Sequence, residues 1–195
     1  MKTLISIFMG ISIAFAIEVV FPLEQNLKFS MLKLGYALIF FTNIVRFFEG
    51  NIILYEKMRE KDPNPIKQRA FVLFIMLQFV TFCAMGRFIG NLVYFIISLI
   101  ILFFLDLIWA NPIFNKGLGE LYKTTKVWFF TSLPLLIISL FLLLNTRYKL
   151  MLPISNEPST ILVLFFSCMI IGTIDYVYNW KFFFDKEAMK AISSF

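Results

Sequence analysis

The sequence contains no histidine. That removes the side chain most used as a general base near neutral pH and as a metal ligand. Its two cysteines, Cys83 and Cys168, sit singly in apolar runs with no Cys-x-x-Cys spacing. Thiolate metal sites, haem attachment and dithiol redox chemistry are therefore not expected, and both cysteines read as small packing residues. Charge is also scarce, at 15% of residues against about 25% in a soluble domain. The phosphate loop, the GxSxG elbow, HExxH and a paired-carboxylate hydrolase signature are all missing. No enzyme activity, no catalytic residue, no cofactor and no metal is expected.

What is present is apolar. Of 195 residues, 60% are hydrophobic and 26 are phenylalanine. The mean hydropathy of +0.84 and the length of the apolar runs define the class as an all-α integral membrane protein. A crossing helix needs ~20 mostly apolar residues. Six runs qualify, over roughly 3–21, 31–48, 70–86, 92–110, 127–145 and 160–178. They lack the period-two alternation of a membrane barrel. The first run is too long for a signal-peptide core, so it counts as a span. Residues 1–195 are read as one transmembrane domain in contact with the lipid bilayer.

Breaks separate the runs: Pro22, "KDPNP" (61–65), "GRFIGN" (86–91), "NPIFNKGLGE" (111–120) and "LPISNEP" (152–158). Gly86 and Gly90 read as hinges, and Pro134 predicts a kink in span five. No proline lies between Pro22 and Pro63. The second helix is therefore expected to run from about residue 29 to 58, ~45 Å at 1.5 Å per residue, and to project from the membrane. Its end carries Glu56 and Arg59 at i,i+3, as suits a solvated helix terminus.

Counting Lys and Arg by side gives twelve with the termini and five opposite, Arg46 aside. The richer side holds Lys57, Arg59, Lys61, Lys67, Arg69, Lys123 and Lys126. Basic segments stay in the cytoplasm, so both termini are expected there. With that topology, the ionisable groups inside the spans sort into two layers. The outer one holds Glu18 and Arg87, a possible pair. The inner one gathers Arg46, Glu49 and Asn51 from span two, Asp106 from span four, and Asp175 and Asn179 from span six. Asn43, Arg46 and Gly50 share a helical face at i, i+3 and i+7.

Three acids thus surround one certain base, so one acid takes a proton, a loop lysine joins, or a cation enters. Two readings of the layer stay open. Polar groups between membrane helices can be hydrogen-bonding glue, at ~0.6–2 kcal/mol each. They can equally form the polar mouth of a pore. Gln78, alone in mid-span three, faces either a pore or another helix. No GxxxG spacing occurs in any span.

These features point first to an oligomeric ion channel or pore whose basic face receives an anionic signal. Tyr122, Trp128, Tyr178 and Trp180 are available there to stack bases. The alternatives are a substrate-capturing membrane subunit of a transporter, of the energy-coupling-factor size, and a membrane scaffold without transport. In size, six spans, basic face and the segments "RFFEGN" (46–51) and "DYVYNWKFFF" (175–184), the chain resembles the small membrane effectors of bacterial antiphage defence. It is similar in particular to the channel subunit of the Hailong system. The resemblance implies a homotetramer in the bacterial inner membrane. It also implies a partner nucleotidyltransferase whose single-stranded DNA oligomers hold the channel shut, with depolarisation when the DNA is lost. On that likeness, Lys57, Arg59, Lys61, Lys67, Arg69, Lys123 and Lys126 become the candidates for holding the anionic ligand.

Overall fold

The computed structural model describes residues 2–21, 30–61, 65–111, 120–148 and 156–180. Among these there are six helices and no strand: α1 (Lys2–Val20), α2 (Met31–Lys61), α3 (Pro65–Arg87), α4 (Leu92–Ala110), α5 (Glu120–Tyr148) and α6 (Glu157–Tyr178). Five of them, α2 to α6, are long and apolar enough to cross a membrane, and the apolar part of α1, Ile5–Val20, is shorter. The chain is an all-helical, multi-span membrane protein.

The helices outrun the apolar runs wherever a charged segment can continue a helix. At 31 residues, α2 is ~46 Å long, well beyond the ~30 Å of a hydrocarbon core. Likewise α3 begins at Pro65 and α5 at Glu120, before their apolar stretches. Lys57, Arg59, Lys61, Lys67, Arg69, Lys123 and Lys126 consequently lie on helix ends and not in loops. Pro134 lies inside α5, which continues past it. Local chemistry sets the sharper starts. Asn91 caps α4 by accepting from the Tyr94 amide at 3.4 Å, and Asn156 caps α6 by accepting from the Ser159 amide at 2.9 Å. Between α3 and α4 the chain reverses through Gly90, whose φ of +88° suits glycine.

The bundle is built from the pairs α1–α3, α4–α5, α3–α4, α2–α6 and α5–α6, with α2 also touching α1 and α3. Its exterior is apolar, and its largely apolar interior also encloses polar groups. Ile7, Leu73, Phe104, Phe130, Phe166 and Ile170 are exposed, while Asn43, Arg46, Gln78, Asp106, Ser132 and Asp175 are buried. Such an exterior suits lipid, and the interior must satisfy its polar groups internally.

Gly86 is a contact point rather than a hinge. It is helical, and a Cβ there would lie 2.8 Å from the Ser12 carbonyl oxygen and 3.3 Å from the Ala16 amide nitrogen. Beside it, Ser12 Oγ donates to the Phe8 carbonyl at 2.8 Å and lies 3.1 Å from Cys83 Sγ. Ser12 and Ala16 on α1 thus meet Cys83 and Gly86 on α3 in the close approach that small residues permit between membrane helices. On α1 the contact uses Ser12 and Ala16 at small-xxx-small spacing, and on α3 it uses Gly86 without Gly90, which lies past the helix end.

Gly86→Val should push α1 from α3 and lower stability by about 1–3 kcal/mol. Gly10 has nothing within 4 Å of a would-be Cβ, so Gly10→Ala should not destabilise. Unfolding in mixed detergent and dodecyl sulfate measures both, and equal losses would contradict the close approach.

Candidate functional site

Helical spacing brings polar residues from four helices to one level. On α2 the buried face runs Tyr36, Phe40, Asn43, Phe47, Asn51 and Leu54, with Arg46 at its flank and 6% exposed. On α6 it runs Ile161, Leu164, Cys168, Asp175 and Asn179. The buried face of α5 runs Thr124, Thr125, Trp128, Thr131, Ser132, Leu135, Ser139 and Leu142, a stripe rich in hydroxyls. Asp106 comes from the last turns of α4.

Arg46 is the centre. Its Nε donates to Asp175 Oδ2 at 2.6 Å, and its Nη2 donates to Thr131 Oγ1 at 2.9 Å. Asn179 Nδ2 donates to the other Asp175 oxygen at 2.7 Å, so both carboxylate oxygens are taken. Thr131 in turn donates to the Trp128 carbonyl at 3.1 Å. The guanidinium carbon sits 5.6 Å from the centre of the Phe47 ring. Arg46 Nη1 is buried and has no hydrogen-bond partner.

Asp106 stands apart from this pair. It accepts from the Ser132 hydroxyl, and the charges of Arg46 and Asp175 act on it. Gln78 of α3 also turns toward it, although Gln78 Nε2 falls outside hydrogen-bonding geometry. The side-chain carbonyl of Gln78 accepts from Asn51 Nδ2 at 2.9 Å, so Gln78 is an interhelix residue. Between these groups lies a cavity of about 20 Å³, lined by Arg46, Phe47, Gly50, Asn51, Asp106 and Trp128. That is room for one water molecule. Gly50 keeps it open on one side, since a Cβ there would press within 3.2 Å of the Trp128 ring.

Of the sequence-derived inner set, Arg46, Asp175 and Asn179 meet directly, Asp106 adjoins them, and Asn51 joins through the cavity. Glu49 does not join the Arg46 pair. Three residues on from Arg46, it is rotated by about 60° around the helix, and it accepts instead from Tyr176 Oη at 2.9 Å in the α2–α6 groove. No lysine enters the described contacts of Arg46, Asp106 or Asp175. Thr131, Ser132 and Tyr176 are partners that the apolar-run reading passed over. The helical spacing of Thr124, Thr131, Ser132 and Ser139, at i, i+7, i+8 and i+15, was the available signal.

At the far end of the bundle, Arg87 and Glu18 approach to 3.9 Å, but their side chains are 62% and 63% exposed. This outer pair is a weak surface contact. Better-buried contacts hold that end: the Tyr36 hydroxyl donates to Glu157, and Lys33 Nζ donates to the Val19 carbonyl at 3.1 Å.

The basic set converges on the other end, where α2 finishes and α3 and α5 begin. Arg69, Lys123 and Lys126 are exposed there and Lys57 is half-buried. The side chains of Arg59, Lys61 and Lys67 lie outside the described residues. Cations in the first turns of α3 and α5 oppose the helix dipole, so helix stability does not explain them. Trp128 is not available to stack a base, being buried against Gly50, whereas Tyr178 and Trp180 are exposed. Among the described residues, no group of three or more Cys, Asp or Glu is placed to hold a metal ion. No family model, no curated protein and no solved structure matches this chain.

Breaking a buried ion pair by removing one partner leaves a desolvated charge, a loss of about 3–5 kcal/mol. Arg46→Met should show this loss. The double variant Arg46→Met/Asp175→Asn should recover part of it, because the stranded carboxylate is gone. A double-mutant cycle by detergent unfolding measures the coupling, and additive losses would mean the pair is incidental.

Proposed function

We propose that the chain is the subunit of an oligomeric membrane ion channel, gated by an anionic ligand at its basic end. One observation carries the reading. The buried charged layer sits on a helix, α2, that runs unbroken from Arg46 to the basic residues ending at Lys61. Intramembrane ionisable groups inside a bundle commonly mark ion pathways. A rigid helix joining such a group to a cationic surface is a route from ligand to membrane core. Arg69, Lys123 and Lys126, being exposed, supply positive charge for a nucleotide or short DNA strand made by a nucleotidyltransferase partner. In this reading the channel works in a bacterial inner membrane with both termini cytoplasmic, as a homo-oligomer, tetrameric on the likeness above, that depolarises the cell in antiphage defence.

The transporter-subunit alternative draws no support from the layer's cavity, which at about 20 Å³ is far below the 300–1,000 Å³ of small-molecule sites. The scaffold reading has one observation in its favour: Asp175 is fully hydrogen-bonded between Arg46 and Asn179, as interhelix glue should be.

Flux from liposomes separates these readings. Reconstituted protein should release a trapped ion reporter, and short single-stranded DNA should suppress release. Suppression should weaken steeply as salt rises, because phosphate contacts release counterions. Arg69→Glu/Lys123→Glu should weaken suppression without stopping flux. Absence of flux with and without DNA would leave the scaffold.

A further inference from the structure

Among the described residues the charged layer does not balance: one guanidinium faces two carboxylates. In a low-dielectric bundle an uncompensated charge is strongly unfavourable. Asp175 is the partnered acid, with both oxygens bonded and no exposure. Glu49 has left for Tyr176. The imbalance therefore falls on Asp106, which retains 7% exposure and lines the water-sized cavity. Arg46, nine-tenths buried, lines the same cavity, and its Nη1 has no hydrogen-bond partner.

We infer that Asp106 is a proton-binding site, reached through a cavity that seats one water between its carboxyl group and Arg46 Nη1. The proton comes from the aqueous phase, an O–H bond forms at one Asp106 oxygen, and the layer becomes neutral. The groups acting on Asp106 are Arg46 from α2, Gln78 from α3, Ser132 from α5 and Asp175 from α6. Arg46 is the sole cation among them and is already committed to Asp175. A monovalent metal ion is the rival source of the missing charge, but Arg46 on the cavity wall repels it, whereas a proton is absorbed into a neutral acid. In the acid form the new O–H donates to Ser132 Oγ, a hydroxyl that can turn from donor to acceptor, while Arg46 Nη1 donates to the water and the water donates to the Asp106 carbonyl oxygen. The inference does not depend on conduction and holds equally for a scaffold.

Infrared difference spectroscopy on the full-length protein in lipid vesicles tests it, with the carboxylic-acid carbonyl band followed against pH and identified by its shift in heavy water. The band should be present in mildly acidic buffer and be lost as the pH rises. It should vanish in Asp106→Asn, survive in Glu49→Gln, and titrate at a shifted midpoint in Ser132→Ala. Asn keeps the shape of the neutral acid, so Asp106→Asn should fold; the Ser132→Ala shift carries the test if it does not. Two results overturn the proposal: no acid band at any pH at which the wild type stays folded, or a band that persists in Asp106→Asn. A wild type that lacks the band but gains thermal stability when sodium or potassium replaces choline would assign the charge to a metal ion and also overturn it.

Discussion

The bond from Arg46 Nε to Asp175 Oδ2 organises this bundle. A guanidinium withdrawn from water needs a carboxylate at hydrogen-bond distance and acceptors for its remaining protons. Each requirement recruits a helix. Asp175 ties α6 to α2, Thr131 brings in α5, and Asn179 fixes the orientation of the Asp175 carboxylate. The small Gly50 then admits Trp128, and the residual space between them becomes the cavity. Without a fixed pair at the centre, the apolar faces around it would offer many nearly equivalent packings, because lipid tails resemble Phe and Leu side chains.

The two ends of the bundle are held by different means. Close to Arg87 the chain uses a tight turn at Gly90, the Tyr36–Glu157 contact and the Ser12–Gly86 approach. At the opposite end α2 continues beyond the length a bilayer can cover, and α3 and α5 start early with exposed cations. Among the described residues, one end is drawn together by these contacts, and the other extends outward and is basic.

Much of this was legible in the sequence because membrane helices announce themselves by run length. The continuity of α2 followed from the lack of proline between Pro22 and Pro63, and the convergence of Arg46, Asp106 and Asp175 followed from topology. Which acid pairs with Arg46 was not legible, since all three lie at similar depth and the choice depends on helix rotation, the quantity that sends Glu49 to Tyr176. Thr131 and Ser132 escaped notice for another reason. Hydroxyls are nearly neutral in a hydropathy reading, although inside a dry bundle they decide where donors and acceptors close. The α1–α3 contact was hidden because Cys83 and Gly86 form no recognised spacing motif.

Arg46 and Asp175 are 129 positions apart in the chain. Synthesis proceeds from the N-terminus, so α2 is complete while α6 does not yet exist. During that interval Arg46 has no carboxylate from α6, and an unpaired Arg inside a span is costly. Asp106 of α4 is the first carboxylate of the layer to follow it. The order of manufacture thus makes the Arg46–Asp175 pair a late event, and a chain interrupted before residue 175 leaves Arg46 with Asp106 of α4 as the other carboxylate of its layer.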